Sequence, residues 1–168
     1  MDLDMKLYDM AGATPEHSDV VANFVSIVRN QLKESLCRVY GDNVQYKWKS
    51  GDEEKTIVPD ATINCRTHSR RGASFIDSPR FVMEVLSKSS EKEDRGKKKD
   101  LYCEQEIEEY WIVDWRNKTV EIYELDYEEN GTPEYYLNRK VTSENKEELM
   151  LLTFPNIKIK FDDLFFGV

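Results

Sequence analysis

The sequence predicts a mixed α/β fold in which helices pack on the faces of a β-sheet. Apolar residues recur at helical spacing between Val21 and Val39, which is typical of a helix with one buried face. The run from Phe81 to Leu86 is apolar on both alternating faces except at Glu84, as in a short strand buried on both sides. Alternating stretches lie before and after a second helical segment. The order helix, strands, helix, strands predicts a mixed sheet with helices on its faces.

The first helix is predicted to begin at Pro15, with Thr14 as its N-cap, and to end at Gly41. Its apolar stripe comprises Val21, Phe24, Val25, Val28, Leu32, Leu36 and Val39. His17 lies on the same stripe, either facing a cleft or packed against the edge of the domain, and periodicity alone favours the packed position. The ten residues at the start of the chain are interpreted as an edge strand.

Two strands and a loop are predicted after the first helix. Residues 44–48 alternate between apolar and polar side chains, which indicates a strand packed on one face. Residues 56–63 predict a second strand, in which Pro59 marks an edge or a bulge. A bulge there would re-aim the next side chain, Asp60, into a site. Residues 66–79 are polar and predict a loop.

The second helix is predicted over residues 89–104, with a serine as its N-cap. Asp94, Lys98 and Tyr102 recur at intervals of four residues, so the helix places them on one face. Gly96 weakens this helix, because glycine is a poor helix former.

The C-terminal third predicts three strands, a further alternating segment and a short helix. Residues 109–114 and 119–123 are typical of a hairpin, and residues 135–141 predict the strand that follows. Residues 157–161 alternate cleanly between apolar and polar side chains, and residues 162–166 are expected to close as a short helix.

Length and charge limit the classes of function. The chain has 168 residues and a formal net charge of −9 at pH 7. We expect a single domain over residues 1–168, because a chain of this length can bury a hydrophobic core without disulfides or metal ions. The net charge argues against non-specific coating of nucleic acid, which depends on clustered Lys and Arg. Basic residues do cluster at 66–71 and 92–99, either as a locally positive face or as ordinary solvated surface.

Targeting and redox signals predict a cytoplasmic protein. The N-terminal residues carry acids where a secretory signal has a basic region, and the apolar runs are too short to span a bilayer. Cys37, Cys65 and Cys103 are an odd number of cysteines at wide spacings, without a CxxC pair. We interpret them as reduced thiols and do not expect zinc ligation.

Glu84 is the residue that most strongly indicates a catalytic or metal-binding site. A buried ionised carboxylate is costly unless a cation lies nearby or the group is neutral. Asp60 and Glu84 could hold Mg²⁺, with the backbone carbonyl of Val85 as a further ligand. Lys98 could then stabilise the charge that develops on a phosphoryl group. A Glu84–Lys98 salt bridge and a turn aspartate at position 60 explain the same residues, and the residues alone leave both interpretations open.

Four segments together resemble the Uma-two family of putative restriction endonucleases, within the PD-(D/E)XK nuclease superfamily. They are Val58–Asp60, Phe81–Ser87, Asp94–Tyr102 and Glu109–Asp114. His17 and the C-terminal stretch from Phe154 to Phe165 are further matches. The resemblance therefore covers nearly the whole chain, in the family's order.

This resemblance implies a restriction-endonuclease-like α/β fold and Mg²⁺-dependent cleavage of DNA, with Mn²⁺ as a substitute ion. It implies that Asp60 and Glu84 are metal ligands. The motif lysine would stand two residues after the glutamate, where this chain has Leu86, and is displaced to the second helix, where Lys98 matches best. The expected catalytic residues are therefore Asp60, Glu84, Lys98 and His17, and the expected metal ligands are Asp60, Glu84 and Val85.

Lys6 departs from the family pattern, because it stands where family members often carry a glutamate. A missing carboxylate would weaken metal binding or change the number of ions. The leading hypothesis is a metal-dependent DNA endonuclease. The alternatives are a catalytically inactive nuclease-fold module for binding or assembly, and a hydrolase that acts on RNA or a nucleotide.

The expected partners are DNA and a second copy of the chain. Many nucleases of this superfamily act as dimers, since two sites are needed to cut two strands, so the resemblance implies a homodimer. Tyr110, Trp111 and Trp115 belong either to the core or to a dimer surface, and the apolar strand around Trp111 favours the core for that residue.

Overall fold

The computed structural model describes residues 13–168. The predicted N-terminal edge strand and Lys6 lie outside the described residues. In chain order the elements are α1 (Pro15–Gln31), β1 (Arg38–Tyr40), β2 (Tyr46–Ser50), β3 (Glu53–Ile57), β4 (Ala61–Asn64), β5 (Arg70–Arg71), β6 (Ser74–Phe75), β7 (Phe81–Val85), α2 (Glu91–Arg95), α3 (Lys97–Glu104), β8 (Glu109–Asp114), β9 (Thr119–Tyr127), β10 (Pro133–Val141), a 3₁₀ helix (Lys146–Glu148) and α4 (Phe161–Leu164).

The strands of this range form two sheets. The larger sheet has six strands in the order β1-β4-β7-β8-β9-β10, and the smaller sheet has four in the order β3-β2-β6-β5. Strands β7 and β8 are parallel, whereas the other neighbours in the larger sheet are antiparallel. The prediction of a mixed sheet with helices on its faces is confirmed.

Strand β7 lies between two hydrophobic clusters. Phe81 and Met83 point to one face of the larger sheet, where Phe24 of α1 stacks on Phe81 with ring centroids 5.1 Å apart. Val82 and Leu86 point to the other face, which is covered by aromatic side chains of the smaller sheet and of α3. Glu84 alternates with Met83 and Val85, so it projects into this second face. The strand is buried throughout, as the sequence predicted.

Helix α1 begins as predicted but ends earlier. Thr14 caps it by accepting a hydrogen bond from the backbone N–H of His17 at 3.2 Å. The helix stops at Gln31 rather than Gly41, and Val39 belongs to strand β1. Leu36, which would extend the apolar stripe, is 88% exposed and has no core to pack against. The helical spacing therefore continued by coincidence past the true end of the helix.

The predicted strand over residues 56–63 is split between the two sheets. Strand β3 ends at Ile57 in the smaller sheet, and β4 begins at Ala61 in the larger sheet. Pro59 lies in the crossing and has no N–H with which to continue a ladder. Asp60 therefore stands at the point where the chain enters the larger sheet, rather than inside a strand.

Residues 157–161 alternate in burial as the sequence indicated, but the segment is not a strand. The backbone N–H of Lys158 donates to Gln31 Oε1, and its carbonyl accepts from Gln31 Nε2, both at 2.7 Å. A side chain of α1 thus satisfies backbone groups that a neighbouring strand would otherwise pair. The predicted short helix that follows is confirmed as α4.

Three further predictions are refined or confirmed. The helix expected over residues 89–104 breaks at Gly96 into α2 and α3. The polar loop over residues 66–79 contains the short β5–β6 hairpin. The β8–β9 hairpin forms in continuous register, and Trp111 is fully buried in the core.

The expectation of three reduced thiols is wrong for two of them, because Cys37 and Cys65 form a disulfide. Strands β1 and β4 pair with Arg38 opposite Asn64, which brings the two flanking cysteines together. Their separation of 28 residues conceals this neighbourhood in the sequence. Cys103 is free. None of the helices in residues 13–168 is long and apolar enough to cross a membrane.

We predict that Cys65→Ser lowers the free energy of unfolding by about 3 kcal/mol, because the disulfide restrains a loop of this size in the unfolded chain. Chemical denaturation without reductant measures the effect. Cys103→Ser is the matched control and should leave stability nearly unchanged. Alkylation of the denatured, unreduced protein should label one cysteine, and labelling of three would contradict the disulfide.

Candidate active site

The larger sheet and helix α3 bring the predicted site residues together. Ala61 pairs with Met83 across β4 and β7, so Asp60 and Glu84 lie at the same end of the two strands. Helix α1 places His17 beside Asp60, and α3 places Lys98 beside Glu84. Residues that are up to 81 positions apart in sequence therefore meet at one place.

Asp60 is held by two donors. Its Oδ2 lies 3.1 Å from His17 Nε2 and accepts the backbone N–H of Val85 at 2.7 Å. Burial alone would raise the pKa of the Asp60 carboxyl, but the hydrogen bond and charge of His17, with the Val85 N–H, lower it overall. Burial likewise opposes the charge of His17, yet Asp60 raises the pKa of this imidazole. The contact thus favours an ionised Asp60 beside a protonated His17.

Glu84 is only 1% exposed. The phenol of Tyr102 donates to its Oε1 at 2.5 Å, and Lys98 Nζ lies 3.4 Å from its Oε2. Burial first, and the negative charge of Asp60 second, raise the pKa of Glu84, while Lys98 and Tyr102 act in the opposite direction. Glu84 is therefore a buried carboxylate with incomplete compensation of its charge.

Lys98 lies between two buried carboxylates. Its Nζ is 3.1 Å from Asp94 Oδ1 and 3.4 Å from Glu84 Oε2. Burial opposes its charge, but Glu84 and Asp94 together raise the pKa of the ammonium group. Lys98 therefore stays a cation across the neutral range.

Sequence reasoning noted that Asp94, Lys98 and Tyr102 share a helix face but assigned a role in the site to Lys98 alone. The structure brings Lys98 and Tyr102 into contact with Glu84, and Asp94 into contact with Lys98. The spacing of four residues was the signal that could have found the other two. His17, which periodicity placed at the domain edge, contacts Asp60.

These residues open onto a cavity of about 230 Å³. Its lining is polar and comes from the start of α1, the segment before β4, the end of β7 and the serine-rich turn after it. The lining residues are Ala13, Thr14, His17, Asp42, Asp60, Glu84, Ser87, Ser89, Ser90 and Lys98. Acids and a lysine both line the cavity, so a ligand entering it meets charges of both signs.

The donor set fits Mg²⁺ better than a metal that needs a full protein cage. Across residues 13–168, no group of three or more His, Cys, Asp or Glu side chains is arranged to hold an ion. Mg²⁺ is commonly bound by one or two carboxylates, with water and substrate oxygens completing its shell. Asp60 and Glu84 supply two adjacent carboxylates, and a cation between them would relieve the repulsion that raises the pKa of Glu84.

The chain belongs to the Uma2 family, described as "putative restriction endonuclease", whose model matches residues 3–162. A relative from Synechocystis sp. (strain ATCC 27184 / PCC 6803 / Kazusa), named as an uncharacterized protein, is 28% identical over 121 residues. The match covers 71% of this chain and 63% of that relative, so the chain spans less than two thirds of the relative's length.

The fold is similar to that of a solved structure from Anabaena variabilis ATCC 29413, described as a putative nuclease belonging to DUF820. The TM-score is 0.66 at 17% sequence identity, over 91% of this chain and 82% of that one. This likeness shows that the two chains share a fold, in agreement with the predicted mixed α/β class.

We predict that Glu84→Gln stabilises the protein at neutral pH. Folding raises the pKa of the Glu84 carboxyl. At pH values above the pKa that this group has in the unfolded chain, the folded protein is therefore destabilised, because the buried group must ionise. Each unit of difference between the two pKa values corresponds to about 1.4 kcal/mol. A gain of about 1 kcal/mol corresponds to roughly 2–4 °C in Tm for a chain of this size.

Thermal unfolding of both proteins between pH 4 and pH 8, without divalent ions, measures the difference. It should be largest at high pH and vanish as the pH falls toward the unfolded pKa of a glutamate, ~4.3. A lower Tm for the variant at pH 8 would contradict the account.

Proposed function

We propose that this protein is a metal-dependent endonuclease that hydrolyses phosphodiester bonds in DNA. The observation that carries the proposal is the meeting of Asp60, Glu84 and Lys98 in the lining of one cavity. Membership of a family described as restriction endonucleases supports the choice of a nucleic acid as substrate.

Asp60 and Glu84 would hold Mg²⁺, and the carbonyl of Val85 is proposed as a further ligand. The ion would polarise the phosphate and lower the pKa of a water molecule. His17 favours the ionised form of the Asp60 carboxylate, which it contacts at 3.1 Å. The Lys98 ammonium stabilises negative charge on the phosphoryl oxygens, or orients the attacking water.

One observation favours the alternative of an inactive module. Both oxygens of Glu84 already have partners within the protein, namely the Tyr102 phenol and the Lys98 ammonium. A site neutralised in this way could persist as a structural ion pair without metal. The two functions differ in whether a divalent ion binds at Glu84, so metal binding separates them.

We predict that Mn²⁺ or Mg²⁺ raises the Tm of the wild-type protein and supports nicking of supercoiled plasmid DNA. Asp60→Asn and Glu84→Gln should abolish the metal-dependent rise in Tm and reduce cleavage at least ~100-fold. Each substitution replaces a negatively charged ligand of the ion with a neutral amide. Lys98→Met should reduce cleavage by a similar factor and retain the rise in Tm.

Glu129→Gln is the matched control, since Glu129 is an exposed acid in the turn between β9 and β10. It should behave as the wild type in both assays. Cleavage that is equal in all the variants would indicate a contaminating nuclease. Wild-type protein with neither metal binding nor cleavage would favour the inactive module. Parallel assays on duplex DNA, single-stranded DNA, RNA and nucleotides test the choice of substrate.

A homodimer is proposed on the same grounds, because two sites are needed to cut two strands. Size-exclusion chromatography with light scattering should give about twice the chain mass of 19.8 kDa, and a monomer would contradict the proposal.

The proposed cytoplasmic location faces a specific test, since disulfides are rare in that compartment. Trapping thiols in intact cells measures the state of Cys37 and Cys65 where the protein works. A fully oxidised pair would count against a cytoplasmic location.

A further inference from the structure

Asp94 is a carboxylate that the proposed mechanism does not use. It lies near the end of α2, is 0% exposed, and contacts two residues of the site, Lys98 and the cavity-lining Ser90. Burial is the largest influence on the Asp94 carboxyl and raises its pKa, because a buried charge costs free energy. An acid so placed needs a reason, because an apolar residue would fill the same space without that cost.

The two carboxylate oxygens of Asp94 contact different side chains. Oδ2 accepts the hydroxyl of Ser90 at 2.8 Å, one turn earlier in the chain. Oδ1 lies 3.1 Å from Lys98 Nζ, at ion-pair distance but outside regular hydrogen-bond geometry. The backbone carbonyl of Asp94 accepts the phenol of Tyr110 at 2.7 Å, which fixes this turn of α2 onto strand β8. The carboxylate is therefore rigidly placed, with one oxygen directed at Lys98.

The Asp94–Lys98 contact crosses the break at Gly96, so it joins α2 to α3. Lys98 is nearer to Asp94 than to Glu84, by 3.1 Å against 3.4 Å. Without Asp94, Glu84 would be the one carboxylate of residues 13–168 left at ion-pair distance from the ammonium, which would then close further onto it. Such a pair would occupy the carboxylate that the metal needs and the cation that the phosphate needs.

We propose that Asp94 is a positioning residue that shares the Lys98 ammonium with Glu84 and so limits how far the ammonium closes onto the Glu84 carboxylate. The inference rests on the proposed function of the site, in which Glu84 and Lys98 act separately. The contact itself can be tested without any catalytic activity.

The variant Asp94→Asn isolates this role, because it keeps the size of the side chain and an oxygen for the Ser90 hydroxyl. The Tyr110 bond uses the backbone and is unaffected. A purely structural role of Asp94 would therefore survive the substitution, whereas the attraction to Lys98 would not.

The experiment combines Asp94→Asn with Lys98→Met in a double-mutant cycle on the full chain. In plasmid or oligonucleotide cleavage with Mn²⁺, Asp94→Asn should lower kcat by roughly 10- to 100-fold with KM within about threefold, as expected for a misplaced catalytic group. In the Lys98→Met background the same substitution should have little further effect.

A second readout follows Lys98 without activity, namely the rate at which an amine-acylating reagent labels it, read by mass spectrometry. Labelling of Lys98 should fall several-fold in Asp94→Asn, because the ammonium closes onto Glu84, which is only 1% exposed. Labelling of the exposed Lys97 in the same sample is the internal control and should not change. A third readout, the Tm of the four proteins, should show coupling between positions 94 and 98.

Three results would overturn the inference. They are an unchanged kcat in an active enzyme, an equal loss in the Lys98→Met background, and unchanged Lys98 labelling with additive shifts in Tm. If the wild-type protein does not cleave DNA, the proposed function fails, and the labelling and Tm cycle still decide whether Asp94 holds Lys98.

Discussion

The burial of the Glu84 carboxylate is the constraint on which the site depends. Strand β7 is covered on both faces, so Glu84 has little access to water and must find its partners within the protein. Tyr102 and Lys98, one turn apart on α3, meet its two oxygens. The position of α3 over the sheet is thereby linked to the charge of Glu84. A divalent ion would balance the part of the negative charge of Glu84 that Lys98 and Tyr102 leave uncompensated.

The pairing of strands sets the geometry around that carboxylate. Strand β4 is antiparallel to β7, and the chain enters it through Asp60 after the proline that ends pairing in the smaller sheet. The N–H of Val85 and the imidazole of His17 then hold Asp60 in place. The acids thus come from rigid elements near the middle of the larger sheet, as a site that depends on accurate placement requires.

The sequence predicted what depends on local pattern and not what depends on long-range contact. The buried strand around Glu84, the β8–β9 hairpin and the start of α1 follow from periodicity and capping. The end of α1, the split at Pro59 and the Cys37–Cys65 disulfide depend on strand pairing, which spacing does not reveal. His17 entered the predicted site through the family resemblance, whereas Lys98 was expected from the residues themselves. The spacing of four residues between Asp94 and Lys98 indicated a shared helix face, but the geometry of their contact needed the structure.

A crystal structure of the wild-type protein soaked in Mn²⁺ tests the central claim most directly, because the anomalous scattering of manganese locates the ion. The account predicts a peak in contact with both the Asp60 and the Glu84 carboxylates, with the Lys98 ammonium still within reach of Asp94. A site without a peak at saturating Mn²⁺, with Lys98 closed onto Glu84, would contradict it.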